Sequence, residues 1–324
     1  MNKNIIIIAG EPYSVFLELL FKSIKTKKIN KPFLLICSKN LLVNQMKRLN
    51  YNFKINNINK SKCSKIKLLK KHINIIDVSF NFKKTFDKIS EKSFKYIEDC
   101  FKEGLSLTKN KNFNILVNGP ISKKYFLKKK FLGITEYVAK KTGSKGNEVM
   151  LIYNNKLSVS PVTTHLPLAE VRKNITSKKI IKNVLTINSF YKKKLKKKAK
   201  FAVTGLNPHC ETNKSYSEEE KIIVPAIKKL RKKNININGP FAADTLFLKK
   251  NINKFNVVIG MYHDQVLTPI KTLYGFKAIN ITLGLPFLRI TPDHGPNNNF
   301  LGKNISDPSS VIEIFKFLSQ IREN

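Results

Sequence analysis

Apolar residues along this chain come in short blocks alternating with stretches of helical period. Ile5 to Ala9 is an apolar run of strand length, followed by Gly10-Glu11-Pro12 and then by Phe16, Leu19, Leu20 and Ile24 at the three-and-four spacing of an amphipathic helix. Phe33 to Cys37 predicts a second strand. From Ser38 to about Lys84 the Lys/Asn-rich sequence has no readable period, apart from a strand near Ile73 to Val78. A helix from about Ser90 to Leu105 and a strand from Phe113 to Val117 follow, and the turn Asn118-Gly119-Pro120 leads into another helix. Strands are then expected at Glu148 to Tyr153, Leu157 to Val162, Lys200 to Thr204, Val257 to Met261 and Ala278 to Thr282, with a long helix from Ser177 to about Lys194. Ser217 and Glu220 form a capping box for a helix to about Lys233, and Asp307-Pro308 supplies N-cap and N1 of a terminal helix. Such alternation predicts an α/β protein with a mostly parallel, doubly wound sheet. There is no internal repeat or low-complexity linker, so any lobe boundary must be a crossover within the pattern.

With 324 residues, 42% of them hydrophobic, the chain can bury a large core in two lobes or one large domain. Its apolar runs are of strand length, too short to cross a membrane, and its N-terminus lacks the long apolar region of a signal peptide, so a cytoplasmic protein is expected. Cys37, Cys63, Cys100 and Cys210 are scattered, which points to reduced thiols. The net charge of +40 would suit a phosphate-rich partner. Its make-up argues against nucleic acid: only Arg48, Arg172, Arg231, Arg289 and Arg322 are arginine among 61 basic residues, and the lysine runs lack interleaved aromatics.

Three of the five histidines directly follow predicted strands: His165 in Thr163-Thr164-His165, His209 in Asn207-Pro208-His209 and His263 in Met261-Tyr262-His263. The carboxyl ends of parallel strands share one edge of a sheet, where ligand crevices form, so the three can converge on one divalent metal. Neutral imidazoles suit zinc foremost, with magnesium, manganese or cobalt as alternatives, and three protein ligands leave positions open for substrate. His72, in the lysine-rich stretch, has no such context. Asp244 follows the turn at Pro240, and Lys271, Asn280 and Arg289 offer a cation, an amide and a retained arginine near strand ends. In so lysine-biased a chain, an arginine points to bidentate phosphate or carboxylate geometry.

These blocks resemble the 4-hydroxythreonine-4-phosphate dehydrogenase family. The carriers are Asn118 to Lys123, Thr163 to Leu168, Gly205 to His209, Gly239 to Phe247, Met261 to Lys271, Asn280 to Arg289 and Asp293-His294-Gly295. The resemblance implies the two-lobed fold of the isocitrate and isopropylmalate dehydrogenases, with lobes at about 1–130 plus 285–324 and 131–284. It also implies a homodimer and an interlobe active site drawing on both subunits. It puts the metal ligands at His165, His209 and His263, the substrate contacts at Thr135, Lys271, Asn280 and Arg289, and an NAD loop at His294 and Gly295. The absence of GxGxxG agrees, since this class does not hold NAD with a glycine fingerprint. Asp244, Asp264 and Lys271 are the candidates for catalysis; either aspartate could take the hydroxyl proton or orient a metal histidine. The implied reaction oxidises 4-phosphooxy-L-threonine with NAD and releases carbon dioxide, giving 3-amino-2-oxopropyl phosphate for pyridoxal 5'-phosphate synthesis.

The chain departs from the family at Ile134, where a substrate-binding histidine is usual, and in the loops Tyr13 to Phe16, Cys210 to Lys214 and Pro296 to Phe300. Ile134 keeps open a sister dehydrogenase acting on a threonate or erythronate phosphate. The charge and the altered cofactor loop keep open a nucleic-acid-binding protein on the same scaffold.

Overall fold

A computed structural model describes all residues except 1–3, 27, 28, 30, 60–67, 111, 129, 212–215 and 322–324; Cys63 and Arg322 lie outside the described residues. The chain forms two compact units, residues 1–146 with 285–323, and 147–284. Chain order in the first unit is β1 (Ile5–Ile8), α1 (Phe16–Lys25), β2 (Phe33–Cys37), α2 (Lys39–Arg48), β3 (Ile55–Asn57), β4 (Ile73–Asp77), α3 (Phe94–Leu107), β5 (Ile115–Asn118) and α4 (Ile134–Lys141). The second unit follows with β6 (Val149–Tyr153), β7 (Ser158–Pro161), α5 (Leu168–Asn174), α6 (Ser177–Phe190), β8 (Phe201–Thr204), α7 (Val224–Arg231), β9 (Ile237–Phe241), α8 (Ala243–Leu246), α9 (Lys249–Ile252), β10 (Val257–Gly260), α10 (His263–Tyr274) and β11 (Ile279–Leu283). The chain then returns to the first unit with β12 (Leu288–Pro292) and α11 (Ser309–Gln320).

In the first unit the strands run β3-β4-β2-β1-β5-β12, and every pair is parallel. A parallel strand needs helices on both faces, hence the unbroken run Ile5–Ile8, of which nothing is exposed. Cys100 and Phe101 of α3 pack on β1 and β2 residues, and Tyr137 and Val138 of α4 join the same core, so residues 131–146, expected in the central lobe, lie in this unit. In α1, Glu18 is buried and paired with Lys22 at 2.9 Å, while Ser306 N donates to it at 2.7 Å. Lys22 also donates to the carbonyls of Asn304 and Ser306, which fixes the approach to α11. The terminal helix starts one residue later than expected: Pro308, expected at N1, is the N-cap residue, and Asp307, expected as N-cap, lies before it and accepts from the N–H and hydroxyl of Ser309. The stretch without a readable period contains α2, capped by Ser38.

The second sheet runs β11-β6-β7-β10-β8-β9, with only β6 reversed. Its core gathers Val159, Ala202, Val258, Val266 and Ile270. The long helix continues past Phe190 in one π-type turn, which brings the buried Tyr191 hydroxyl to Ser158 at 2.9 Å. Among the described residues no helix is long and apolar enough to cross a membrane. Strands β6 and β11 pair Val149 with Leu283, so the two ends of this unit lie side by side. Gly284 has φ +81°, and a Cβ there would stand 2.0 Å from the Asn147 carbonyl oxygen. Gly284→Ala should therefore cost about 2 kcal/mol or more. An unchanged urea midpoint would refute this.

Candidate active site

Strands β7, β10 and β8 are consecutive neighbours in the second sheet and run parallel. His165 follows β7, His209 follows β8, and His263 opens α10 directly after β10. Neighbouring strands lie about 4.8 Å apart, so the three loops leave one edge within two strand spacings. Thr163 donates to the Met261 carbonyl through its hydroxyl at 2.7 Å and its N–H at 3.2 Å, joining the first histidine loop to the third. The His165 and His263 rings stand 5.7 Å apart, centre to centre. Two imidazoles bound to one tetrahedral ion at ~2.0–2.1 Å put their ring centres roughly 5 Å apart, so this pair has the spacing of shared ligands. His263 Nδ1 bonds Asp264 Oδ1 at 2.6 Å, which leaves Nε2 as its outward nitrogen. His209 is not gathered with them: among the described residues no group of three His, Cys, Asp or Glu side chains is close enough to hold an ion. The donor chemistry and the strand order fit a metal, with His165 and His263 paired and His209 apart from them.

The His209 loop is held by acids outside the candidate residues of the sequence. Glu219, buried, accepts from Leu206 N at 2.7 Å, Asn207 N at 2.9 Å, Asn207 Nδ2 at 2.9 Å and Ser217 Oγ at 3.1 Å. Glu218 accepts from Asn207 Nδ2 at 3.0 Å and Arg172 Nε at 2.5 Å. Burial pushes the pKa of Glu219 up, but the hydrogen bonds from Asn207 and Leu206 outweigh it and hold the carboxyl below its ordinary range. A signal was present: Glu218, Glu219 and Glu220 are consecutive in a chain with only 21 acids. The capping-box reading used only Ser217 and Glu220, whose N–H does bond Ser217 Oγ at 3.3 Å.

Elsewhere in this unit, Asp244 is exposed and accepts from Thr245 N at 2.8 Å. Lys271 is exposed, its Nζ 5.9 Å from the centre of the Phe276 ring. Asn280 sits mid-strand in β11, and its buried amide oxygen accepts no hydrogen bond among the described residues.

The first unit brings another group together. Arg289, on β12, is 1% exposed. Its Nε donates to Asn118 Oδ1 at 2.9 Å and its Nη1 to Thr135 Oγ1 at 3.0 Å. Burial lowers its pKa to about 10 against the pull of Glu136, so it stays charged at neutral pH. Ile134, beside Thr135, packs against the apolar core. His294 Nδ1 lies 2.8 Å from the Gly295 carbonyl, and Pro296 O accepts from Val15 N, fastening this loop to the turn after β1. In that turn Glu11 is buried, and desolvation pushes its pKa up to about 7, partly opposed by Ser93 and the backbone of Tyr13 and Ser122.

Mostly parallel strands built in this order, with polar loops at their ends, have the fold of isocitrate dehydrogenase. The isocitrate dehydrogenase of Methylococcus capsulatus shares the fold at a TM-score of 0.52 over 98% of this chain and 85% of that one, with 8% identity. The chain belongs to the oxidoreductase family described as pyridoxal phosphate biosynthetic protein PdxA, whose model matches residues 28–317. A 4-hydroxythreonine-4-phosphate dehydrogenase of Sulfurihydrogenibium sp. (strain YO3AOP1) is 38% identical over 312 residues, 95% of this chain and 94% of that protein. The crystal structure of another so named, from Burkholderia phymatum, matches at a TM-score of 0.80 and 25% identity, covering 100% of both chains.

The two buried glutamates should give opposite pH signatures. Glu11, with a raised folded pKa, contributes stability that is present below pH 4.5 and lost as pH rises through about 7. Glu11→Gln should remove that loss, a gain on the order of 3 kcal/mol over wild type between pH 4.5 and 8. Glu219, with a lowered folded pKa, contributes stability that is present at neutral pH and lost as pH falls below 4.5. Glu219→Gln should therefore be weaker than wild type at pH 7, with the gap narrowing in acid. Urea titrations at pH 4, 5, 7 and 8 read both, and parallel profiles for wild type and variants would refute them.

Proposed function

We propose that this chain oxidises 4-phosphooxy-L-threonine with NAD, and that loss of carbon dioxide then gives 3-amino-2-oxopropyl phosphate. The observation that carries the proposal is the placement of His165, His209 and His263 at the carboxyl ends of three consecutive parallel strands in a member of this family. These histidines would hold a divalent metal, zinc first. Such an ion, when bound, acts as a Lewis acid on the substrate hydroxyl and on the negative charge left by decarboxylation. His263 would bind through Nε2, with Asp264 fixing its tautomer from Nδ1. Asp244, exposed at its helix start, is then the freer candidate to take the hydroxyl proton.

Substrate contacts are assigned to Thr135, Lys271, Asn280 and Arg289. Arg289 is suited to a phosphate or carboxylate, because Asn118 and Thr135 hold its planar guanidinium in a fixed orientation. The buried oxygen of Asn280 is suited to a substrate donor. Lys271 is assigned as a cation for a charged end of the substrate. His294 and Gly295 are assigned to the NAD loop, which the Val15 bond to Pro296 anchors. The reading extends to a cytoplasmic homodimer that shares its active sites between subunits.

Ile134 favours one second reading, a sister enzyme acting on threonate or erythronate phosphate, since an apolar side chain packed on the core cannot supply the family's histidine donor. Purified protein with a divalent metal should reduce NAD when given 4-phosphooxy-L-threonine; reduction only with a threonate or erythronate phosphate would select the second reading. His209→Ala should lose bound metal and at least about 100-fold in turnover, while its circular dichroism is unchanged. Undiminished metal content in that variant would refute the assignment of His209.

A further inference from the structure

Gln265 stands in the first turn of α10, two residues after His263, and reaches from that helix to the end of β8. Its Oε1 accepts from Met261 N at 2.7 Å and from Thr204 Oγ1 at 2.8 Å, and its Nε2 donates to the Gly205 carbonyl at 2.8 Å. Met261 belongs to the turn that carries His263, and Gly205 opens the loop that carries His209. One amide therefore joins the two histidine loops, using both its acceptor positions and one donor.

The surroundings leave these contacts little room to shift. A Cβ on Gly260 would stand 2.3 Å from Val266 Cγ1, so α10 is pressed against the end of β10. A Cβ on Gly205 would stand 2.7 Å from Cys210 Sγ and 3.0 Å from Glu219 Oε1, so the start of the His209 loop is gripped on its side-chain face as well. His209 and Cys210 both hold left-handed backbone, at φ 56° and 63°. Two consecutive non-glycine residues persist in that region only where the surroundings over-determine them, and such strain gathers at functional sites.

We infer that Gln265 is a positioning residue for the metal centre: it sets the distance between the His209 and His263 loops and thereby the affinity for a divalent cation. The inference rests on the metal reading proposed above. Gln265 would touch neither metal nor substrate; it acts through the backbone of Gly205 and Met261.

The test is cobalt(II) binding, measured by competition with a chromogenic chelator and by the visible spectrum of the bound ion, in wild type, Gln265→Met, Gln265→Glu and Tyr191→Phe. Gln265→Met keeps the length of the side chain and removes all three hydrogen bonds. Gln265→Glu keeps the two acceptor contacts and loses the bond to Gly205, so it also carries the test if the methionine variant does not fold. Tyr191→Phe is the control, since it removes a buried hydrogen bond to Ser158 at the opposite end of β7. Both Gln265 variants should bind cobalt about 10- to 100-fold more weakly, with an altered spectrum, and Tyr191→Phe should bind as wild type does. Wild-type affinity and spectrum in the Gln265 variants would overturn the inference, as would an equal loss in Tyr191→Phe. Wild-type protein that binds no cobalt would instead overturn the metal reading, and is seen before any variant is made.

Discussion

The parallel pairing of β7, β10 and β8 is the constraint on which the site depends. Side chains at the ends of antiparallel neighbours would face opposite edges of a sheet, whereas three consecutive parallel strands deliver their following loops to one edge. The backbone thus brings the three histidine loops to one edge, while the His209 side chain stands apart from the other two. Thr163 joins the outer β7 loop to the central one, and the carboxylates of Glu218 and Glu219 hold the β8 loop from below. Strand order selects which loops can meet, and these bonds decide how closely.

Acidic residues are scarce, and several are used inside. Glu11, Glu18, Glu218 and Glu219 are all buried, although the chain has 21 acids against 61 basic residues. Glu18 is offset by Lys22 and a backbone N–H, Glu219 by four hydrogen-bond donors, and Glu11 by too few to keep its pKa low. The same rule, that a buried charge must be matched by donors or shift its titration, moves Glu11 and Glu219 in opposite directions. Two of the few arginines stand where planar, directional donors are used, Arg172 from the surface onto buried Glu218 and Arg289 inside the fold onto Asn118.

Much of the fold was legible because its strands are buried on both faces and so read as apolar runs. Ile5–Ile8, Phe33–Cys37 and Val257–Gly260 lie almost where the pattern puts them. Helix α2 was not legible, since its stripe of Leu41, Leu42, Gln45 and Met46 is broken by a buried glutamine that donates to the Pro12 and Thr85 carbonyls. Strand β12 is not legible because Arg289, its second residue, interrupts the apolar run; Arg289 was expected near a strand end and in the fold lies within the strand, buried among polar partners. For the site, the strand-end histidines could be read from position alone. Their spacing could not: the run Glu218 to Glu220 marks buried acids nearby, but not that Glu219 accepts from the backbone N–H groups of Leu206 and Asn207 in the His209 loop. Nor does pattern show that Thr135 and Arg289 bond one another across 154 positions of chain.

The first unit is interrupted: β5 must wait for β12, so Ile115 pairs with Leu288 only after the whole of 147–284 has intervened. A flexible loop of that length would carry a substantial entropic cost of closure. The antiparallel pairing of β6 with β11 changes this, because it sets the two ends of the inserted unit beside each other. Once that unit has folded, the chain on either side leaves from neighbouring points, and the long loop behaves as a short one. The one reversed strand in an otherwise parallel sheet is therefore what allows a domain to be inserted into the middle of another without preventing its host from closing.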